Sequence, residues 1–168
     1  YMVVEADEFD RSFLTLHPDL LCITSMDADH LDIYQNVENL ETSFQSFAAL
    51  VSNPNQRWVR EGLDVSGVTL GTSKHAEVRV EHVRVENGHY VFDFHSKDQI
   101  LKDIQLRLPG KHNLMNATVA IAMALSVGCD PQSIATALQH FQGVDRRFSI
   151  RIEEPAVPSM ITLIIQLK

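Results

Sequence analysis

Leu20-Leu21-Cys22-Ile23-Thr24 is an apolar run set between Pro18-Asp19 and the acidic stretch Met26-Asp27-Ala28-Asp29-His30-Leu31-Asp32-Ile33-Tyr34. Apolar residues then recur at Val37, Leu40, Phe44, Phe47, Ala48 and Val51. The short run bounded by turn residues reads as a buried strand, and spacings of three and four read as an amphipathic helix packed on a sheet. Strand, acidic loop and helix together are the repeating unit of a parallel α/β sheet. A similar start lies upstream, where Tyr1–Glu5 is an apolar run ending in an acid, predicted as a strand, and residues 10–16 are predicted to hold a helical turn.

From Arg57 the period changes to two, with Val78, Val80, (His82) Val83 and Val85 alternating, and residues 89–95 and 100–108 alternating likewise. Glu86-Asn87-Gly88 and Ser96-Lys97-Asp98 supply hairpin turns. Residues 77–108 are therefore predicted to be an antiparallel meander covering one edge of the main sheet, with one wet face. An alanine-rich helix over 112–127 and a second over 131–141, with Asp130 as its cap and Pro131 in its first position, follow. Residues 148–152 are predicted to form a last strand. The fold class expected is α/β, a mostly parallel sheet flanked by helices, with a small antiparallel β insertion over about 57–108.

The chain has 168 residues, enough for one domain to bury about two-thirds of its unfolded surface. Its formal net charge of -8, with no Lys/Arg cluster longer than two neighbours, speaks against nucleic acid as a partner. No apolar run approaches the roughly 18 residues of a membrane span, so no membrane is expected. Cys22 and Cys129 read as reduced, buried thiols of a cytoplasmic protein.

Four stretches carry chemistry. Glu5-Ala6-Asp7-Glu8-Phe9-Asp10 places four acids in six residues after an apolar run. It is either a solvated loop or a cation site, since carboxylates past the carboxyl end of a parallel strand lie where open α/β sheets bind ligands. Asp27, Asp29, His30 and Asp32 offer hard oxygens and one imidazole, a set suited to Mg2+ or Mn2+ rather than to a closed zinc site; the alternative is a capping cluster with a surface histidine. Asn113 and Asn116 fall one turn apart at a helix start, where carboxamides either read a purine edge or cap the helix. Arg146-Arg147 before a strand is a surface pair or an anion contact.

Taken in order, Glu-Ala-Asp-Glu-x-Asp-x-Ser-Phe at 5–13, Asp-Ala-Asp-His-Leu-Asp-x-Tyr at 27–34, Gly-Lys-His-Asn-x-x-Asn-Ala at 110–117 and Gly-x-x-Arg-Arg-Phe at 143–148 resemble the central domain of the Mur ligases. The resemblance covers residues 1–152 and implies a partial ATP-binding domain. It implies Glu5 and His30 as ligands of a divalent metal, His112, Asn113 and Asn116 as adenine contacts, and Arg147 as a nucleotide contact. It further implies ATP with Mg2+ (or Mn2+) as cofactors, UDP-N-acetylmuramate and L-alanine as substrates of the full-length enzyme, and the bacterial cytoplasm as its setting. The reaction implied has a carboxylate attacking the γ-phosphate, and the amine of L-alanine then displacing phosphate from the acyl phosphate. Helix 37–51 has no lysine, unlike later ligases of the pathway, which fits the alanine-adding branch.

The family's P-loop, Gly-Thr-x-Gly-Lys-Thr/Ser, does not occur in this sequence. The chain alone is therefore expected to be inactive. A muropeptide-recycling ligase of the same family, a metal-dependent hydrolase and a non-catalytic nucleotide-binding module are the alternatives. Residues 153–168 form an atypical apolar tail suited to a sheet edge or a second chain, giving self-association. One permitted encoding of Pro158–Lys168, read from the third base of each codon, becomes Ile-Asp-Asp-Tyr-Ala-His-His-Pro-Thr-Glu, the family's motif at the entrance to its C-terminal domain. A frameshift between about Glu154 and Pro158 is the expectation drawn from it.

Overall fold

The structure, a computed structural model, describes residues 2–6, 11–27, 34 and 36–143. Six strands form one sheet in chain order: β1 (Leu21–Ile23), β2 (Arg57–Arg60), β3 (Val68–Gly71), β4 (Val78–Glu86), β5 (His89–His95) and β6 (Ile100–Leu106). The pairings β1–β2, β2–β3 and β3–β4 are parallel, and β4–β5 and β5–β6 are antiparallel. Helix α1 (Val37–Ala49) connects β1 to β2, and α2 (Lys111–Ser126) and α3 (Pro131–His140) follow the sheet.

Helix α1 starts where the Asn36 side chain accepts the Asn39 N–H at 2.8 Å, satisfying an amide that the first turn leaves open. Its apolar stripe, Leu40, Phe44, Phe47 and Ala48, is buried with Phe13, Leu21, Ile23, Tyr34 and Val51 on one side of β1. Cys22, half-buried, points the other way, and burial pushes its thiol up to about 12. Cys129 is exposed, contrary to the expectation of two buried thiols, because it follows Gly128 beyond the end of α2. The larger core lies between the sheet and α2, where Leu70, Phe92, Phe94 and Ile121 are all fully buried. The parallel end of the sheet is thus covered on both faces, as parallel strands require.

The parallel returns are short. Residues 61–67 link β2 to β3 and residues 72–77 link β3 to β4, fewer than the dozen or so a usual crossover takes. Strands of four residues need a return of only about 13 Å, and two glycines make the tight packing feasible. A Cβ on Gly67 would lie 2.8 Å from the Arg57 carbonyl oxygen, and one on Gly71 would lie 2.1 Å from the Glu61 carboxylate. That carboxylate accepts the N–H groups of Thr72 at 2.7 Å and Ser73 at 3.1 Å, tying the end of β2 to the loop after β3. Arg57 stitches the other end, donating to the carbonyls of Val51, Ser52 and Ser66.

The expected insertion over 57–108 is corrected by this topology. Residues 57–60 and 68–71 are parallel members of the main sheet, and β4 pairs with β3 as well as β5. The antiparallel strands cover no edge: they continue the sheet, and Val78, Val80, Phe92, Phe94, Ile104 and Leu106 belong to the larger core. Alternation of side chains is the same in parallel and antiparallel strands, so the period could not tell them apart. The Asn87-Gly88 turn is as expected, with φ of 50° and 78° at its two central residues.

The strand expected over residues 1–5 does not form. Residues 2–6 have no ladder partner among the described residues, and Met2 and Val3 are 88% and 94% exposed. An extended segment becomes a strand only where a neighbour satisfies its backbone groups, and among the described residues β1 pairs only with β2. The last strand expected, at 148–152, and the tail 153–168 lie outside the described residues.

Truncating the fully buried Ile121 to alanine should cost about 2–5 kcal/mol in urea unfolding, whereas Ile100→Ala, at a 57% exposed site, should cost less than about 0.5 kcal/mol. Equal losses would contradict the packing described. The Ser73 hydroxyl and the Thr72 and Ser73 amides, with Arg60 nearby, hold the Glu61 carboxyl below the usual carboxylate range. Its ionised form therefore stabilises the fold at neutral pH, and that contribution fades as the pH falls through the lowered value. The Glu61→Gln variant should accordingly lose less stability than the parent between about pH 5 and pH 3, read by urea titration at each pH.

Candidate functional site

The carboxyl ends of β1, β2 and β3 open on one edge of the sheet, where ligands of open α/β folds bind. Described residues lie on both sides of 28–33. On the near side, the Ser25 hydroxyl donates to the Asp27 carboxylate and accepts the Asp27 N–H. On the far side, Tyr34 is fully buried in the core beneath α1, and its carbonyl accepts from the Asn39 side chain at 2.9 Å. The Arg11 guanidinium lies 5.1 Å from the centre of the Tyr34 ring. Arg60 at the end of β2 reaches the Thr24 carbonyl, linking the ends of β1 and β2. Asp27 and Tyr34, the described residues on either side of 28–33, are thus each fixed in place; His30 itself lies outside the described residues.

Glu5 does not sit at the end of a strand, as the sequence reading had it. It lines a depression of about 250 Å3 with Val4, Ala6, Ser12, Phe13 and neighbouring residues of the 3-10 turn Ser12–Thr15. Ala6 packs against the core beneath α1, the core that also buries Tyr34. Both acidic motifs thus start from one small core. Among the described residues no three His, Cys, Asp or Glu side chains come together to hold a metal ion. Asp7, Glu8, Asp10, Asp29, His30 and Asp32, the donors that would complete such a set, lie outside them.

The third motif opens α2. Gly110, at φ 99°, occupies the cap position with no side chain capping the helix, and a Cβ there would lie 2.7 Å from the His112 ring. The glycine thus lets the chain turn and the imidazole fold back over it. The structure brings His112, Asn113 and Asn116 together within the first turns of α2, but in different states. Asn113 is half-buried and its amide nitrogen donates to the Pro109 carbonyl at 2.6 Å, bracing the loop before the helix. Asn116 and His112 are exposed. Asn113 serves the helix start, and the side chain of Asn116 is exposed beside it. Among the described residues, the Glu5 depression takes no lining from α2. Arg147 lies outside the described residues.

Two polar centres escaped the sequence reading. The Glu61 carboxylate on Gly71, Thr72 and Ser73 is one, and its signal was an isolated glycine in an apolar run, which marks a close approach. Asp93 is the other: buried on β5, it bonds His82 on β4 and the Asp103 N–H on β6. The three-residue step from Val80 to Val83 in an otherwise two-residue alternation was the trace of the bulge that places His82 there.

Residues 1–124 match the family model of the Mur ligase middle domain. The chain is 49% identical over 153 residues to the UDP-N-acetylmuramate–L-alanine ligase of Flavobacterium psychrophilum, covering 91% of this chain and 34% of that protein. It is 47% identical over 153 residues to the enzyme of the same name from Christiangramia forsetii, again 91% and 34%. The chain thus spans about a third of the length of the curated relatives it matches. Among solved structures, the UDP-N-acetylmuramate-alanine ligase of Thermotoga maritima superposes with a TM-score of 0.76 at 27% identity, covering 89% of this chain and 35% of that one. No helix among the described residues is long and apolar enough to cross a membrane. With three-quarters of its length under the family model and the same sheet and helices in a solved relative, the chain belongs to the Mur ligase middle-domain family.

Proposed function

We propose that this chain is the nucleotide- and metal-handling part of an ATP-dependent ligase that joins L-alanine to UDP-N-acetylmuramate in peptidoglycan synthesis in the bacterial cytoplasm. The observation that carries this reading is the similarity of nine-tenths of the chain to ligases of that name, spanning the acidic motif at the end of β1 and the start of α2. In the reaction proposed, the substrate carboxylate attacks the γ-phosphate of ATP, and the amine of L-alanine displaces phosphate from the resulting acyl phosphate.

Glu5 and His30 are the proposed ligands of Mg2+ or Mn2+, and Arg147 is a proposed nucleotide contact. Hard oxygens with a single imidazole suit such an ion, which when bound screens the charges of two approaching anions. The hydrogen-bonded Ser25–Asp27 turn and the buried Tyr34, which flank this motif in the sequence, support this assignment. His112 and Asn116 are the proposed adenine contacts, with the Asn113 carboxamide oxygen beside them. With no P-loop in its sequence, the chain by itself is expected to leave ATP unhydrolysed.

Replacing the matching third of the Flavobacterium psychrophilum ligase with residues 1–143 of this chain tests the reading. The chimaera should release ADP only when UDP-N-acetylmuramate and L-alanine are both present; a folded chimaera that turns over with neither, or with another amino acid in preference, would overturn it. In that chimaera Glu5→Gln or His30→Ala should lower kcat by about a hundredfold or more. Asn113→Ala should cost about 1 kcal/mol of stability through the lost Pro109 bond. Asn116→Ala should leave stability unchanged and raise the KM for ATP by about tenfold.

A further inference from the structure

Two residues within strands hold a left-handed backbone without being glycine: His82 on β4 at φ 50° and Asp103 on β6 at φ 54°. Each sits at a register shift, one between Glu81 and Arg84 and the other opposite Asp93. Such conformations persist only where the surroundings hold them. One buried side chain holds both. Asp93, on the middle strand, accepts the Asp103 N–H at 2.9 Å with one carboxylate oxygen and lies 2.8 Å from His82 Nδ1 with the other. The hydrogen bonds from Asp103 and His82 keep the Asp93 carboxyl below the usual range, so it is an anion at neutral pH.

A carboxylate on Nδ1 fixes the proton there and leaves the lone pair on Nε2. The His82 side chain is 71% exposed while that of Asp93 is 11% exposed, so the ring is anchored from below and presented to solvent. It opens on a broad hollow of about 600 Å3 lined by Thr72, Lys74, Arg79, Glu81, His82 and Val83. Glu81 is paired there with the Arg79 guanidinium at 2.7 Å, and among the described residues the Lys74 ammonium has no acidic partner.

We propose that His82 is a phosphoryl-accepting histidine, whose Nε2 takes the phosphoryl group of an activated donor of the acyl phosphate or phosphoramidate class. The Nε2 lone pair forms the bond to phosphorus. The bond from phosphorus to the leaving group breaks, and the carboxylate or ammonia departs with that electron pair. The Nδ1 proton stays between the ring and Asp93, whose charge balances the imidazolium. Lys74 and the Thr72 hydroxyl supply the cation and the donor that suit phosphoryl oxygens. The hollow takes no lining from the described residues of either acidic motif, and the proposal does not depend on the ligase reading.

The test uses the full chain incubated with potassium phosphoramidate and, in a second arm, with acetyl phosphate, with phosphohistidine mapped by peptide mass spectrometry and its position on the ring read by 31P NMR. His75, His112 and His140 are exposed and have no carboxylate on the ring among the described residues, so they serve as internal references. His82 should be labelled at Nε2 about tenfold faster than these three, and Asp93→Asn should bring it down to their rate without changing theirs. In the parent chain unfolded in urea all four histidines should react alike, a comparison that decides the matter even if the Asn variant does not fold. Labelling of native His82 at the reference rate, or at Nδ1, would overturn the proposal.

Discussion

The core that holds Phe92, Phe94 and Ile121 together is what the rest of the chain depends on. All three are fully buried, and they join the middle of the sheet to the middle of α2. A sheet that changes from parallel to antiparallel pairing at β4 has no single repeating unit to hold it together. It needs a helix laid across the changeover, and α2 touches both β3 and β4. The start of α2, with His112, Asn113 and Asn116, is aimed by that same packing. Core and candidate nucleotide site are thus one mechanical unit.

Polar groups set the tolerances around this core. Short strands allow short parallel returns, and those returns bring backbone amides of one loop within reach of a carboxylate on the previous strand. Glu61 on the Thr72 and Ser73 amides and Arg57 on the carbonyls beyond α1 are the two cases. Each joins elements that are neighbours in space and separated in sequence by a loop or a turn. The end of β1 is joined to that of β2 in the same way, since Arg60 beside Glu61 donates to the Thr24 carbonyl.

The antiparallel half is more than a scaffold extension. Its bulges keep Val83 and Val85 on the same face as Val78 and Val80, although towards the hairpin tip that face emerges and the two valines become 42% and 66% exposed. At the outer edge, Lys102 and the bulged Asp103 on β6 discourage pairing with another strand. Asp93 supports both bulges at once. A polar residue buried in the middle of a sheet is tolerated because both its oxygens are satisfied.

Periodicity and punctuation determined the elements. The spacing of Leu40, Phe44 and Phe47, the Asn87-Gly88 turn, and Asp130-Pro131 at the head of α3 are local signals, because helix stripes, positive-φ turns and caps are decided within a few residues. The motif order from Glu5 to Phe148 likewise sufficed for the family. Strand direction, by contrast, was settled only in the folded molecule. Whether residues 57–71 run parallel to their neighbours depends on which strand satisfies their backbone amides, and side-chain alternation carries no information about that. Residues 2–6 are apolar enough for a strand, yet among the described residues they join no sheet. The division of labour between Asn113 and Asn116 was equally invisible, because it turns on one bond to the Pro109 carbonyl. The pairing of His82 with Asp93 joins residues on two strands, and only the register of those strands puts a buried carboxylate beneath an exposed imidazole.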